Sequence, residues 1–125
     1  MPVITEGLNL GDLLKYEAPN LYSRDQATVI AGQNLLLGTV VGAETATSKL
    51  KTLDPTATDG TELAAGVLAL DVDATLIDRD DAILVARHAI VSDTALTWPA
   101  GITPTQKATA IAQLKSLGIL VRKGV

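Results

Sequence analysis

Phenylalanine is absent from this chain, and one tryptophan and two tyrosines are its only aromatic residues, although 47% of its side chains are apolar. Its core therefore has to be assembled from Ala, Val, Leu and Ile, which fill space through shape and number instead of through large rings. Flat aromatic platforms for stacking a ligand are nearly excluded. The 125 residues fit one domain, able to bury roughly two-thirds of its extended surface. With no cysteine, the chain has neither disulfides nor thiolate nucleophiles nor thiolate metal sites. Ten basic residues against 14 acidic ones give a net charge of -4, with no Lys/Arg cluster, so nucleic acid is not an expected partner. No basic leader precedes an apolar run, and no stretch approaches a membrane-spanning length. The expectation is a soluble chain made in the cytoplasm, with no membrane partner.

Residues 1–25 scatter isolated aliphatics among Gly, Pro, Asn and charges, and read as an N-terminal arm preceding a domain at 26–125. Such an arm is a disordered leader, a helix packed on the domain, or a segment that orders on a partner. β-Branched residues around Gly32, Gly38 and Gly42 predict short strands over 26–31 and 39–43. The run DPTATDGTE is a loop. The apolar runs 63–70 and 82–91 are expected to be strands, the second one long and buried, with a solvated connection between them. Near the C-terminus, Pro99 pushes Trp98 into extended backbone, and Thr103-Pro104-Thr105-Gln106 has the form of a capping box with proline at the first helical position. The helix that starts there is expected to bury Ala108, Ile111, Ala112, Leu114 and Leu117, and to expose Gln106, Thr109, Gln113 and Ser116. Lys107 and Lys115 interrupt the apolar arc and must snorkel. Gly118 caps the helix, and 119–122 returns as a strand. The fold class expected is α+β: a compact β-rich domain with one main C-terminal helix and a flexible N-terminal arm.

Several motifs invite chemistry. VLALDVDATLID resembles the first motif of haloacid-dehalogenase-type phosphatases, which would make Asp71 the nucleophile and Asp73 the acid/base beside Mg²⁺, with Thr75 alongside. That family needs a large doubly wound sheet and further Ser/Thr, Lys and acidic groups after the motif, and this chain ends too soon to supply them. Solvated turn acids are the reading adopted, for calcium as for magnesium, since Asp71, Asp73, Asp78, Asp80 and Asp81 lack the glycine and distal glutamate of a calcium loop. His88, the only imidazole, has no second histidine or cysteine for a metal and reads as structural or exposed. The glycines of AGQNLLLGTVVG sit between strands and serve turns, not phosphate. No cofactor is expected. Trp98 is either a core aromatic or an interface anchor.

In combination, SRDQATVIAGQ with GTVVG (23–42), the DPTATDG loop (54–60), AAGVLALDVDAT (64–75), VARHAIV (85–91) and LTWPAGIT followed by an Ala/Lys helix and GILV resemble the bacteriophage head decoration proteins, the lambda-type capsid-stabilising family. The resemblance covers roughly residues 23–122. It implies a structural protein without enzymatic activity, made in the bacterial host cytoplasm and carried on the outer surface of the phage head. It also implies a homotrimer that binds the major capsid (coat) protein of the expanded head at three-fold and quasi-three-fold positions, through an N-terminal arm that adds a strand to the coat. On this chain the coat contact is expected at Pro2, Val3, Ile4, Thr5, Leu8, Leu10, Leu13 and Leu14, and the trimer contact or its support at Trp98, Pro99, Ile111 and Leu114. The alternatives are a small β-rich domain that binds a ligand or host surface, or a phosphatase-like enzyme using Asp71 and Asp73.

Overall fold

A computed structural model of the chain describes residues 10–19 and 22–123. A single turn of helix, α1 (Leu10–Leu13), leads directly into β1 (Leu14–Glu17). There follow β2 (Arg24–Val29), β3 (Gln33–Leu35), β4 (Val40–Ala43), β5 (Leu50–Thr52), β6 (Gly66–Leu68), β7 (Val72–Ala74), β8 (Arg79–Val85) and β9 (Ala89–Ser92). The chain closes with α2 (Pro104–Ser116) and β10 (Ile119–Arg122). Five strands close a small barrel in the order β2-β5-β4-β6-β8. Beside it stand a three-stranded sheet, β1-β9-β10, and a two-stranded ribbon, β3-β7. The domain is thus β-rich with one main helix, and the α+β label fits it only loosely.

The aliphatic core divides in two. One cluster joins Leu13, Val40, Leu53, Val67, Val85, Val91, Leu114 and Ile119, tying barrel, three-stranded sheet and helix together. The other, with Val29, Val41, Leu50, Leu68 and Leu84, belongs to the barrel and its ribbon. Each fully buried Leu or Ile contributes about 1.5–3 kcal/mol through removal from water. The buried hydroxyls are partnered: Ser23 Oγ donates to Glu17 and Thr39 Oγ1 to the Leu36 carbonyl. Among the described residues no buried side-chain polar atom lacks a hydrogen bond.

Three expectations change. The run 82–91 is two strands, because the chain leaves the barrel after Val85 and enters the three-stranded sheet at Ala89. The corner is made by the Ser23 carbonyl, which accepts from the amides of Ala86 and Arg87, and by His88 at φ +50°. A strand that switches sheets needs such a bend, and no apolar periodicity reports it. The connection read as wholly solvated supplies β7 and the start of β8. The helix is also rotated from the expected arc. Ala110 and Leu114 are its buried residues, Ala108 and Ala112 are exposed, and Gln113 faces inward, its Oε1 accepting from the Ala64 amide at 2.8 Å. A glutamine that satisfies a backbone amide in the loop before β6 is worth half-burying there, which side-chain hydrophobicity alone would not indicate.

The helix boundaries follow the sequence signals. Thr103 Oγ1 accepts from the Gln106 amide at 3.1 Å while Gln106 Oε1 accepts from the Thr103 amide at 3.0 Å, a complete capping box with proline at the first turn. At the other end Gly118, at φ +86°, lets the chain reverse into β10 and donates its amide to the Lys115 carbonyl at 2.9 Å.

Candidate functional site

The D-x-D-x-T segment is occupied with holding turns. Asp71 Oδ1 accepts from the Leu37 amide at 2.7 Å, and Asp73 Oδ1 accepts from both the amide and the hydroxyl of Thr75. Those Thr75 bonds, the hydroxyl first, hold the Asp73 carboxyl below its ordinary value. Asp78 likewise accepts from the Ala31 amide and the Lys49 ammonium, which pins the β7–β8 loop to the segment after β2 and to the start of β5. Among the described residues no group of three or more His, Asp and Glu side chains is placed to hold a metal ion. What the acids achieve is a rigid loop, at whose tip Leu76 and Ile77 stand 89% and 67% exposed.

The residues expected to form the trimer contact are only partly brought together. Trp98 is half-buried, packed on the first core cluster with the Lys107 ammonium 5.6 Å from its ring centre. Residues 96–99 run beside β4, where the Thr97 carbonyl accepts from the Val40 amide and the Thr97 amide donates to the Gly38 carbonyl. Pro99 and Ile111 are half-buried, whereas Leu114 has no exposed surface and is open to a supporting role alone. Between α2 and the loop before β6 lies a groove of about 270 Å³ lined by Leu53, Pro55, Leu63, Thr109 and Gln113 among others.

The expected coat contact divides at residue 10. Pro2, Val3, Ile4, Thr5 and Leu8 lie outside the described residues. Leu10 and Leu14 are half-buried against the core, and Leu13 is completely enclosed by it. Residues 10–17 are therefore built into the domain: β1 pairs antiparallel with β9, and the Glu17 carboxylate binds Ser23 Oγ at 2.6 Å and the Arg24 guanidinium.

The outer face of the three-stranded sheet was not anticipated. β1 pairs Tyr16 with Ile90, and β10 pairs Leu120 with Ile90, so the three side chains form one row across the sheet. Tyr16 is 56% exposed, and Ile90 and Leu120 are half-exposed. Beyond the row, the Tyr22 and His88 rings lie 5.2 Å apart, with the Arg87 guanidinium over Tyr22 and anchored by Asp25. The Asp25 bond, ahead of the other influences, raises Arg87 above its ordinary value. One signal for this face was present in the sequence: AIV in β9 and ILV in β10 are apolar on both alternating faces, the pattern of strands covered on both sides.

The class of protein is thus a small aliphatic β-barrel domain flanked by a three-stranded sheet that carries exposed apolar residues. The chain belongs to the family of the bacteriophage lambda head decoration protein D, whose model matches residues 3–119. No curated protein matches it closely. The match begins twenty residues ahead of the sequence resemblance and so takes in most of the arm. Members of this family are structural proteins of the phage, and the chain is accordingly assigned to capsid decoration on the virion head.

Proposed function

We propose that this chain binds as a homotrimer to the outside of the expanded head, at three-fold and quasi-three-fold positions, and stabilises it against loss of coat subunits. The family match over nearly the whole chain is the observation that carries the reading. A ligand that binds only the expanded lattice stabilises it in proportion to the logarithm of its excess over Kd. The coat contact is made by the arm, Pro2, Val3, Ile4, Thr5 and Leu8, adding a strand whose main-chain bonds give affinity. Leu10, Leu13 and Leu14 tie that strand to the domain. Three arms on one trimer make the second and third contacts intramolecular, so avidity exceeds one arm by about 10² or more. Trp98, Pro99 and Ile111 form the trimer contact, with Leu114 behind them.

The experiment is sedimentation of expanded heads with the full chain and with a chain lacking residues 2–9, alongside solution mass by light scattering. The full chain should co-sediment to saturation and weigh three times its 13.0 kDa. The truncated chain should keep that mass and lose the heads. Equal decoration by both chains sinks the arm assignment, and a monomer on the heads sinks the trimer.

A further inference from the structure

We infer that the outer face of the β1-β9-β10 sheet is a second coat-docking surface, one that receives an apolar strip bordered by carboxylates; the inference rests on the decoration reading. Its centre is the row Tyr16, Ile90 and Leu120. This row exists because β1 carries an extra residue: Leu14 pairs with Val91 and Tyr16 with Ile90, so Lys15 is bulged out and Tyr16 stays on the outer face. The opposite face of the same strands, Ala89, Val91 and Ile119, is sealed in the core. Strands apolar on both faces, in a domain that covers one, leave an apolar face for a partner.

The borders state what that partner looks like. At the Ser92 end, Arg122 follows Leu120 by two residues and so points outward with it, and Lys15 is exposed on the opposite edge strand, across β9. Neither makes an ion pair among the described residues, and in this they resemble Lys107, Lys115 and Lys123, while Arg24, Lys49, Lys51, Arg79 and Arg87 are paired. The Lys15 ammonium donates to the Gly11 carbonyl at 2.8 Å, a neutral partner, so on a chain of net charge -4 both cations are left without a counter-charge, and they select carboxylates. At the other end stand Tyr22 and His88, the latter held at φ +50°, a backbone state that costs a non-glycine residue about 1 kcal/mol or more. Two of the three aromatic residues of the chain, both 56% exposed, are thus found here, Tyr16 in the row and Tyr22 beside it. Tyrosine is enriched where interfaces concentrate their energy.

Chain continuity commits the face to coat protein. Residues 1–9 enter the domain at Leu10, one helical turn and two strand residues before Tyr16. That path spans about 12 Å. A coat subunit holding the arm is within reach of the row. A second copy pairing through this same row would close as a two-fold dimer and cannot build a three-fold ring.

The test compares the full chain with Ile90→Thr/Leu120→Thr, which removes apolar surface while keeping strand-forming residues, and with Tyr16→Ser and Arg122→Glu, whose side chains are exposed. Melting temperature, solution mass and Kd for expanded heads are measured for each. The double variant should bind heads at least tenfold more weakly at unchanged mass, and Arg122→Glu should lose several-fold, most at low salt. Unchanged Kd in all variants overturns the inference while leaving decoration standing. A fall in mass that accompanies the lost binding also overturns it, since the face would then join copies of the chain. If the double variant does not fold, Tyr16→Ser and Arg122→Glu decide alone. Failure of the unmodified chain to bind heads overturns the decoration reading itself, and this inference with it.

Discussion

The Glu17 carboxylate receives the Arg24 guanidinium through both of its oxygens, at 2.9 and 2.5 Å, and binds the buried Ser23 hydroxyl through one of them. The pair clamps β1 onto the start of β2, joining the three-stranded sheet to the barrel. Arg24, before the Ser23 bond, holds the Glu17 carboxyl below its ordinary value of 4.5. Since the folded value is the depressed one, this stabilisation is present at neutral pH and is lost as pH falls below about 4.5 and through the folded value. Glu17→Gln should cost about 1 kcal/mol at pH 7, the upper range for an ion pair whose side chains are 26% and 21% exposed, and should flatten the acid limb of the stability profile. Urea denaturation between pH 3 and 7 provides the check, and parallel acid limbs in both proteins would refute it.

Leu13 marks where the arm stops being separable. It has no exposed surface and sits in the cluster of Val91, Leu114 and Ile119. Removing residues 2–9 should leave the melting temperature within a degree or two. Extending the deletion to residue 14 empties the Leu13 site and removes the first residue of β1. Leu13→Ala alone should cost about 2–5 kcal/mol, the range for a large-to-small change in a core that cannot collapse. A Leu13→Ala protein as stable as the unmodified chain would show that α1 is not part of the folded unit.

Gly118 and His88 are a coupled pair. A Cβ on Gly118 would lie 2.8 Å from His88 Cδ2, and the glycine is at φ +86°. Gly118→Ala should therefore cost about 2 kcal/mol, from left-handed strain and from the clash. In Gly118→Ala/His88→Gly the ring that the new Cβ would meet is gone, so the two changes should be non-additive, recovering about 1 kcal/mol. A double-mutant cycle by thermal denaturation measures this coupling. Strict additivity would mean that the ring simply turns away.

Local chemistry made some elements legible and tertiary chemistry hid others. Thr103, Pro104 and Gln106 announce α2 because a capping box is complete within four residues, and Gly118 announces its end. The strand over 119–122 follows from the same punctuation. The rotation of α2 was hidden because its inward glutamine, Gln113, is paid for by the Ala64 amide, nearly fifty residues away. The sheet change at His88 is invisible for the same reason, since its hydrogen bonds come from Ser23 and Ala18. For the candidate site, the aliphatics of 2–14 flagged the arm, but the boundary at residue 10 depends on β1 finding β9. Tyr16 and Tyr22 lay inside that arm, and only pairing with β9 and contact with His88 gave them a shared face.

Trp98 is the sole tryptophan, so its emission reports one position. The side chain is half-buried against the core with Lys107 over its ring, which leaves an exposed part for a neighbour to cover. If the trimer contact includes it, diluting the protein should shift its emission to the red as the mass falls from three chains to one, well before the fold unravels. Trp98→Ala should then cost about 2 kcal/mol of domain stability, less than a fully buried tryptophan, and should also remain monomeric at concentrations where the unmodified chain is trimeric. Light scattering and fluorescence on one dilution series separate the two roles. Emission that stays constant while the mass falls assigns Trp98 to the fold alone and moves the trimer contact elsewhere, with the α2 groove and the Leu76–Ile77 tip the next surfaces to vary.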